Sequence, residues 1–347
     1  MKKIFLVLLG GILAGCTHFY AEDVYVEAPE SGRMNFVAVQ DLAQNGIYDA
    51  NGFVKQSNRL VVGASYLQEG VARTLDLSAN GGQVACSKSF VPGKPVRALS
   101  SFNSSDGHHV TALDFKKGEL LVTPVIPLTK GNAETTVIRL PEDRQHLIAA
   151  KGDGYVVATG LYEEGRYLLY SLSDSVARYY LSYPECPDYP ELQEKTKGML
   201  YASGILRLRP DGRAFVCADM YSGVIDFCRL SDAGIERVKL VYLSYPEVEV
   251  TETPVTRVLY SRDNHFGFMD LAVTSDRIYA LYSGRGYGRN GEGALGARQL
   301  LEYDWEGNLL KNHELEAPLS KIAYDPEEEL LYGLVNNTDV SLVKLEL

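Results

Sequence analysis

Arginine and tyrosine residues that could bind a ligand are concentrated in three stretches of the second half of the chain, residues 184–203, 246–267 and 283–297. Their members are Tyr189, Arg257, Tyr260, Arg262, Arg285, Tyr287 and Arg289. Arginine binds a carboxylate through two parallel hydrogen bonds, and a tyrosine ring offers a rigid stacking surface. The stretches therefore predict a surface for an anionic or sugar-like ligand, or for an acidic patch of a partner protein. The alternative is that the arginines pair with nearby acids, namely Glu247, Glu249, Glu252 and Glu292.

No group of residues has the spacing of a catalytic or metal centre. The six histidines form neither H-x-x-E-H nor H-E-x-x-H, and G-x-S-x-G, the motif of a hydrolase nucleophile, does not occur. Two overlapping G-x-G-x-x-G matches lie between Gly286 and Gly296. The residues after them have a strand pattern, whereas a dinucleotide site needs a helix there. We therefore expect no catalytic residue, no metal and no cofactor.

The first 16 residues form a targeting signal. Lys2 and Lys3 precede a short apolar run, which is typical of a secretory signal peptide, whereas a membrane-spanning helix needs about 20 apolar residues. The run ends in Leu-Ala-Gly-Cys, which resembles the bacterial lipobox, in which the sulfur of the cysteine receives a diacylglycerol and becomes the new N-terminus. We predict a signal peptide over 1–15 and lipidation of Cys16; the alternative is a plain signal peptide. An Asp directly after the lipidated cysteine would indicate retention in the inner membrane. Because Thr17 stands there instead, we expect the lipid to anchor the protein in the outer membrane, with either the periplasmic or the cell-surface side possible.

The composition excludes a nucleic-acid-binding protein. The chain has 34 Lys and Arg against 45 Asp and Glu, a net charge of −11, and loss of the two leader lysines brings the mature chain to −13. Proteins that bind nucleic acid need a basic face for the phosphates. A hydrophobic content of 46% with 23% charged residues is ordinary for a globular protein, and we expect a folded monomer.

Two cysteines flank a short turn in a chain that is exported to a compartment that permits disulfides. Cys217 and Cys228 are equally distant from the point between Ser222 and Gly223 in the turn Tyr221-Ser222-Gly223, so a hairpin folded at that point would place them opposite each other. One outcome is a cross-strand disulfide, and the other is two small buried thiols.

Short turns rich in Asp, Asn and Gly recur about every 50 residues. They are Ser57-Asn58-Arg59, Ser105-Asp106-Gly107, Gly152-Asp153-Gly154, Pro210-Asp211-Gly212 and Ser275-Asp276-Arg277, with a sixth near Glu328. Asp and Asn favour such turns because their side chains bond the local backbone. Short alternating apolar runs separate the turns, and no helical pattern of useful length occurs. The repeat predicts an all-β fold, a six-bladed β-propeller with four-stranded antiparallel blades.

The ring needs one strand from the N-terminal part of the chain. The last blade supplies only three strands, Leu319–Tyr324, Leu330–Val335 and Val340–Leu347. Either Val24–Val26 or Asn35–Val39 could supply the missing outer strand and so close the ring, and the second lies closer to blade one. The expected organisation is a lipidated N-terminus and linker over 16–34 and a propeller over 35–347.

Propeller geometry assigns the three arginine-containing stretches to one face of the disc. With strands a to d counted from the axis outward, turns a–b and c–d lie on one face and turns b–c and d–a on the other. The stretches 184–203 and 246–267 are d–a connections and 283–297 is a b–c loop, so all three should emerge together around blades four and five. Long loops on a rigid scaffold usually carry binding function. Because the closing strand should begin on the opposite face, we expect the lipid to hold that opposite face toward the membrane.

The lipobox at Leu13–Cys16, the six irregular blades and the stretch Gly160-Leu161-Tyr162-Glu163-Glu164-Gly165-Arg166-Tyr167 together resemble the TolB-like six-bladed propeller lipoproteins common in Bacteroidetes. The resemblance covers nearly the whole mature chain. It implies the fold and the envelope location, and its only sharp motif is the lipobox. It implies no reaction.

Two functions are compatible with these features. The first is a non-enzymatic lipoprotein that binds a partner protein or glycan on the loops of blades four and five. The second is a metal-dependent hydrolase or lactonase with a divalent ion in the central channel. Its candidate acids are Asp114, Asp226 and Asp270, of which only Asp270 falls near an innermost strand. Because many propellers are scaffolds, we favour the binding protein.

Overall fold

The strands of this protein form the blades of a propeller. The computed structural model describes residues 20–63, 72–77, 83–85, 99–125, 134–336 and 340–346. These contain four separate four-stranded sheets, one seven-stranded sheet that comprises the last two blades, and a small two-stranded sheet. All consecutive strands within a blade pair antiparallel. The predicted all-β, six-bladed propeller is confirmed.

The first four blades are simple meanders. Blade one contains β2 (Gly52–Gln56), β3 (Arg59–Gly63), β4 (Ala72–Asp76) and β5 (Gln83–Ala85). Blade two contains β6 (Leu99–Asn103), β7 (His109–Asp114), β8 (Glu119–Pro124) and β9 (Thr136–Arg139). Blade three contains β10 (Gln145–Lys151), β11 (Tyr155–Leu161), β12 (Tyr167–Ser171) and β13 (Ala177–Tyr180). Blade four contains β14 (Gly204–Leu208), β15 (Ala214–Asp219), β16 (Val224–Ser231) and β17 (Gly234–Tyr242).

The last two blades share one long strand. Blade five contains β20 (His265–Val273), β21 (Ile278–Gly286), β22 (Ala297–Tyr303) and the first part of β23 (Leu309–Asp325). The last part of β23 pairs with β24 (Leu330–Asn336), which pairs with β25 (Val340–Glu346), so β23 also provides the innermost strand of blade six. The remaining strands, β18 (Val248–Thr251) and β19 (Arg257–Tyr260), form a hairpin between blades four and five.

An N-terminal strand closes the ring. In β1 (Glu30–Asp41), residues 35–41 pair antiparallel with β25, with Asn35 opposite Glu346 and Asp41 opposite Ser341. The preceding residues 30–34 pair in parallel with residues 311–315 of β23. Of the two stretches expected to supply the outer strand, Asn35–Val39 does so. The closing strand protects the edge of β25, which would otherwise be open to pairing with another chain.

The recurrent turns lie at equivalent places. Each of the six connects the first and second strand of its blade. In three of them the glycine has a positive φ, 71° at Gly107, 75° at Gly154 and 69° at Gly212, a conformation that side-chain-bearing residues rarely adopt. The carboxylate of Asp106 accepts hydrogen bonds from the backbone N–H groups of His108 (2.9 Å) and His109 (2.8 Å). The turn chemistry therefore explains the predicted repeat.

Blades three and four are joined through a buried ion network. The Asp226 carboxylate on β16 accepts hydrogen bonds from Arg166 Nη1 (2.9 Å) and from the Tyr167 hydroxyl (2.9 Å), both of blade three. Arg237 on β17 donates to both of its oxygens, from Nε at 2.9 Å and from Nη2 at 3.0 Å. Arg166 and Asp226 are fully buried. One carboxylate thus holds two guanidinium groups that come from neighbouring blades.

Cys217 and Cys228 do not form the disulfide that one of the two alternatives predicted. Both are buried and free. In the hairpin of β15 and β16, Cys217 is opposite Asp226 and Cys228 is opposite Phe215. The centre of the hairpin turn lies one residue before the midpoint between the two cysteines. Because a shift of one residue in the turn changes the residue that lies opposite by two, Cys217 is opposite Asp226 rather than Cys228. The alternative of two buried thiols is the one that the structure contains.

The described residues contain no helix of the length and apolar character needed to cross a membrane.

Candidate functional site

The three arginine-containing stretches are connections between blades, and we call the surface formed by residues 184–203, 246–267 and 283–297 the loop face. The first stretch connects blades three and four and contains an α-helix, Glu194–Leu200. The second connects blades four and five and contains the hairpin of β18 and β19. The third connects β21 to β22 and contains a short helix, Tyr287–Asn290, and a 3-10 helix, Gly291–Leu295.

Two of the candidate tyrosines hold the first two stretches together. The Tyr189 hydroxyl donates to the carbonyl of Val248 at 3.2 Å, and the Tyr260 hydroxyl donates to the carbonyl of Leu200. The Tyr260 ring also stacks on Tyr221, with 4.5 Å between the ring centroids. Burial raises the pKa of Tyr260. Both hydroxyls are therefore used in the fold, and neither is available to a ligand.

The second and third stretches are also in contact, and the N-terminal segment crosses them. The N–H of Gly288 donates to the carbonyl of Arg262 at 2.7 Å. Residues 20–26 run beside this contact: the N–H of Val24 donates to the carbonyl of Gly284 at 2.7 Å, and His265 Nε2 is 2.8 Å from the carbonyl oxygen of Glu22. The loop face is therefore one continuous surface with the N-terminal segment built into it.

Arg285 ties this segment to the third stretch. Its Nε lies 3.4 Å from Asp23 Oδ2, and its other two nitrogens donate to the carbonyl of Gly293 (2.8 Å) and to Asn290 Oδ1 (2.6 Å). Asn290 in turn donates to Asp23 at 2.8 Å. All three nitrogens of the guanidinium group thus have partners within the protein, and Arg285 is not available to bind a ligand.

Residues 20–26 do not leave the propeller on the face that the sequence predicted. We expected the chain to leave the propeller on the face opposite the loops. Instead, the ring of Tyr20 packs against the backbone at Gly288, so close that a methyl group there would lie 2.5 Å from the ring. The prediction rested on the closing strand β1 alone, whereas the residues before β1 fold back across blade five. The N-terminal end of the described chain therefore lies on the loop face.

The remaining candidates, Arg257, Arg262, Tyr287 and Arg289, are exposed. Within the described part of the chain, no carboxylate lies within 4 Å of the guanidinium groups of these three arginines. The predicted alternative, in which the arginines pair with nearby acids, is therefore wrong for these three arginines. Glu247 lies 3.6 Å from His265 instead, and Glu252 accepts hydrogen bonds from the first stretch. Three arginines are thus available on the surface of an acidic protein.

Exposed apolar side chains accompany these arginines, and sequence reasoning had named only Tyr287 among them. Their exposed fractions are 47% for Tyr245, 59% for Val255, 59% for Leu259, 41% for Tyr287 and 42% for Leu295. Four of the five lie in the second and third stretches, and Tyr245 immediately precedes the second stretch. The sequence shows that Val255, Val258 and Leu259 are apolar, but only the structure shows that Val255 and Leu259 face solvent. Exposed apolar groups next to arginine are typical of protein interfaces.

A buried carboxyl group lies under the loop face. Asp219, at the end of β15, is fully buried, accepts a hydrogen bond from the Ser222 hydroxyl at 2.7 Å, and has its Oδ1 without a hydrogen-bond partner. Burial raises its pKa to about 7, although the Ser222 hydrogen bond and the Arg166 charge act in the opposite direction. The group therefore titrates near neutral pH.

The candidate channel acids are not brought together. Asp270 lies on the innermost strand of blade five, as expected, and is bonded to Arg207 Nη2 (2.7 Å) and to the N–H of Ile322 (3.1 Å) of the neighbouring blades. Asp226 belongs instead to the ion network between blades three and four, and Asp114 lies 3.3 Å from Lys117 at the end of β7. Among the residues that the structure describes, no group of three or more His, Cys, Asp or Glu could hold a metal ion.

The closed ring of antiparallel blades and its one-sided loop surface define a β-propeller with a candidate interaction face. The sequence matches the family model of TolB-like 6-blade propeller-like proteins over residues 129–326, and the chain belongs to this family. No curated protein matches it.

The solved structures to which this chain is similar are distant in sequence. The β-propeller domain of Cps50 (Swd1) from Myceliophteria thermophila is 12% identical, with 90% of this chain and 98% of that chain covered and a TM-score of 0.42. The WD40 domain of Neurospora crassa Pan2 is 10% identical, with 90% and 97% covered and a TM-score of 0.48. The structure of U3-55K is 9% identical, with 90% and 98% covered and a TM-score of 0.47. Identities this low say nothing about function.

Proposed function

We propose that this protein is a non-enzymatic lipoprotein of the outer membrane, like the TolB-like lipoproteins of Bacteroidetes, and that its loop face binds an acidic partner protein. The observation that carries the proposal is the combination of exposed arginines and exposed apolar side chains on one continuous surface. The lipid on Cys16 would hold the protein at the membrane, because two or three acyl chains give a durable anchor.

The surface has the composition of a binding interface. Arg and Tyr are enriched among residues that dominate binding energy, and apolar side chains such as Leu259 and Val255 supply the area that must leave water. Among the residues that the structure describes, Arg257, Arg262 and Arg289 have no acidic partner, so a partner that brings carboxylates would not have to displace existing ion pairs. In a chain with a net charge of −11, such a cluster also selects for the charge of the partner.

The N-terminal segment suggests where the partner lies. Tyr20 is on the loop face and is the fourth residue after Cys16, which it can therefore be separated from by at most about 14 Å of extended chain. A lipid on Cys16 would therefore keep the loop face close to the bilayer. A partner bound there would itself be attached to, or embedded in, the same membrane. Either side of the outer membrane is compatible with this arrangement.

Photo-crosslinking in the native cell tests the interaction. A photoreactive residue at position 259 should give a discrete protein adduct, whereas one at Val137, an exposed residue on the outer strand of blade two, should not. Reversal of charge in the double variant Arg257→Glu, Arg262→Glu should reduce the adduct by more than tenfold, because carboxylates would then face carboxylates.

The matched control is Arg213→Glu. Arg213 is exposed on the turn between β14 and β15, on the opposite face, and the change of net charge per substitution is the same. The adduct should persist in this variant. An adduct that survives the double reversal, or that is equally strong from position 137, would remove the loop face as the binding surface.

Replacement of the lipobox cysteine tests the anchor. Cys16→Ser should abolish incorporation of a labelled fatty acid and move the protein from the membrane fraction to the soluble fraction. The control is Cys186→Ser, which changes a buried thiol of the first stretch and should leave labelling intact. Fatty-acid labelling that survives in the Cys16 variant would contradict the assignment of the anchor.

A further inference from the structure

A cavity opens at the mouth of the central channel, on the face opposite the loops. Its volume is about 700 Å³, which is in the range of small-molecule sites. The innermost strands and the first turns of blades one, two, four, five and six form its walls. Because these turns lie on the opposite face of the disc, a ligand in the cavity would not compete with the partner proposed for the loop face.

Carboxylates outnumber cations around this cavity. The three basic side chains of its lining all pair with acids of the protein, at N–O distances of 2.7 to 3.2 Å: Lys55 with Asp325 and Glu328, Arg207 with Asp270, and Arg277 with Glu302 and Asp276. Two further acids of the lining, Asp106 and Glu329, add to this excess, although His109 lies 2.7 Å from the Asp106 carboxylate. The electrostatic potential in the cavity therefore disfavours an anion and attracts a cation.

Glu329 contributes a negative charge that has no counter-ion. It is exposed on the turn between β23 and β24, and in the part of the chain that the structure describes no Lys, Arg or His nitrogen lies within 4 Å of its carboxylate. Its charge acts on Tyr324, near the end of β23. Burial raises the pKa of the Tyr324 hydroxyl, and the negative charges of Glu329 and Asp276 raise it further. Tyr324 thus lies in a negative potential that acids of the lining create.

Aromatic rings form part of the same wall. Phe53 and Tyr279 are 5% and 8% exposed, and Tyr324 is half-buried; all three line the cavity. Burial raises the pKa of Tyr279 to about 12, and the charge of Tyr324 is among the interactions that add to the rise, so the two phenols are close together. The face of an aromatic ring is electron-rich and attracts a cation. Rings and surplus carboxylates therefore favour the same kind of ligand.

We propose that the mouth of the channel binds a small organic cation of the quaternary ammonium class, with its methyl groups against Tyr324 and Tyr279 and its charge balanced by Glu329 and Asp276. An inorganic cation would need several oxygen or nitrogen ligands at fixed distances, and among the described residues no group of three or more His, Cys, Asp or Glu could hold one. A quaternary ammonium group needs no such ligands, because it has no hydrogen to donate and is held by ring faces and by nearby negative charge.

Calorimetry on the purified full-length protein, in a non-ionic detergent, tests the class of ligand. The probes are choline and its neutral isostere, in which a quaternary carbon replaces the nitrogen. Choline should bind saturably with a stoichiometry of one, and the isostere should bind at least tenfold more weakly. Raising sodium chloride to about 0.5 M should weaken the binding of choline severalfold, because salt screens the carboxylates. Calcium chloride at the same ionic strength should do no more than sodium chloride does.

Variants separate the ring from the charge. Tyr324→Leu should weaken the binding of choline about tenfold, whereas Tyr324→Phe, which keeps the ring, should bind within about twofold of the wild type. Glu329→Gln, on an exposed turn, should weaken binding about fivefold and serves if the leucine variant does not fold. Its control is Glu292→Gln, an exposed glutamate of the loop face, which should bind as the wild type does.

Four results would overturn the proposal. They are the absence of saturable choline binding, equal binding of the neutral isostere, displacement of choline by calcium beyond the effect of sodium, and an unchanged affinity in both Tyr324→Leu and Glu329→Gln.

Discussion

Asp226→Ala is expected to destabilise the protein by about 3–5 kcal/mol, the usual cost of removing one partner of a buried ion pair. The substitution leaves the Arg166 guanidinium fully buried without the carboxylate that it contacts at 2.9 Å. The Tyr167 hydroxyl and the bidentate bonds of Arg237 lose the same acceptor. Urea denaturation, monitored by circular dichroism, measures the change in the free energy of unfolding.

The control for Asp226→Ala is an ion pair nearby that is exposed. Arg229, on the same strand, lies 3.1 Å from Glu306 of blade five, and both side chains are more than half exposed. Arg229→Ala should cost less than about 1 kcal/mol because water and salt screen such pairs. Equal effects of the two substitutions would mean that the network does not join blades three and four in the way described.

The stability of the protein is expected to fall by about 4 kcal/mol between pH 4 and pH 7 through Asp219 alone. Its carboxyl group, buried under the loop face, has a pKa raised by burial to about 7 from the ordinary 3.8. In this range the unfolded chain has released a proton that the folded chain still holds, so rising pH favours unfolding. Each unit of pKa shift corresponds to about 1.4 kcal/mol. At pH 7 the folded carboxyl group is half ionised, and the effect is complete about one pH unit higher.

Asp219→Asn should remove this component of the pH dependence. The difference in unfolding free energy between variant and wild type should therefore shift in favour of the variant as the pH rises from 4 to 8. Urea denaturation at several pH values measures it. Asp188→Asn, an exposed aspartate of the first stretch, should leave the wild-type profile unchanged. A profile for Asp219→Asn that runs parallel to the wild type over the whole range would contradict the raised pKa.

The same carboxyl group connects stability to the proposed function. Asp219 lies at the end of β15, where the Ser222 hydroxyl donates to it and where its charge adds to the burial that raises the pKa of Tyr201 and of Tyr260 on the loop face. Ionisation would place an uncompensated charge under the stretches that we propose to bind the partner. Partner binding measured by crosslinking is therefore best compared at one fixed pH.

The propeller was predictable because its signals are local. The Asp–Gly turns specify backbone conformations within four residues, and each of them connects the first two strands of a blade. Closure of the ring by an N-terminal strand was also predictable, because the last blade supplies only three strands, but the choice of Asn35–Val39 over Val24–Val26 came from the structure. These inferences require only counting and turn chemistry.

The composition of the site was only partly predictable. Arg257, Arg262, Tyr287 and Arg289 are exposed as expected, but Tyr189, Tyr260 and Arg285 are used to hold the loops together. Sequence gives the type of a side chain and its place along a loop, but whether its polar end meets a carbonyl or water depends on how distant segments pack.

The amino-acid sequence by itself determined the number of blades, the order of their strands and the face on which the long connections emerge, because these follow from local turns and from the two-residue period of strands. Tertiary structure alone decided the pairing of Cys217 with Asp226, the buried contact between Arg166 and that carboxylate, and the passage of residues 20–26 across the loop face. Each of these depends on a register or a contact between segments that are far apart in the chain, and such contacts are fixed by packing rather than by any local preference.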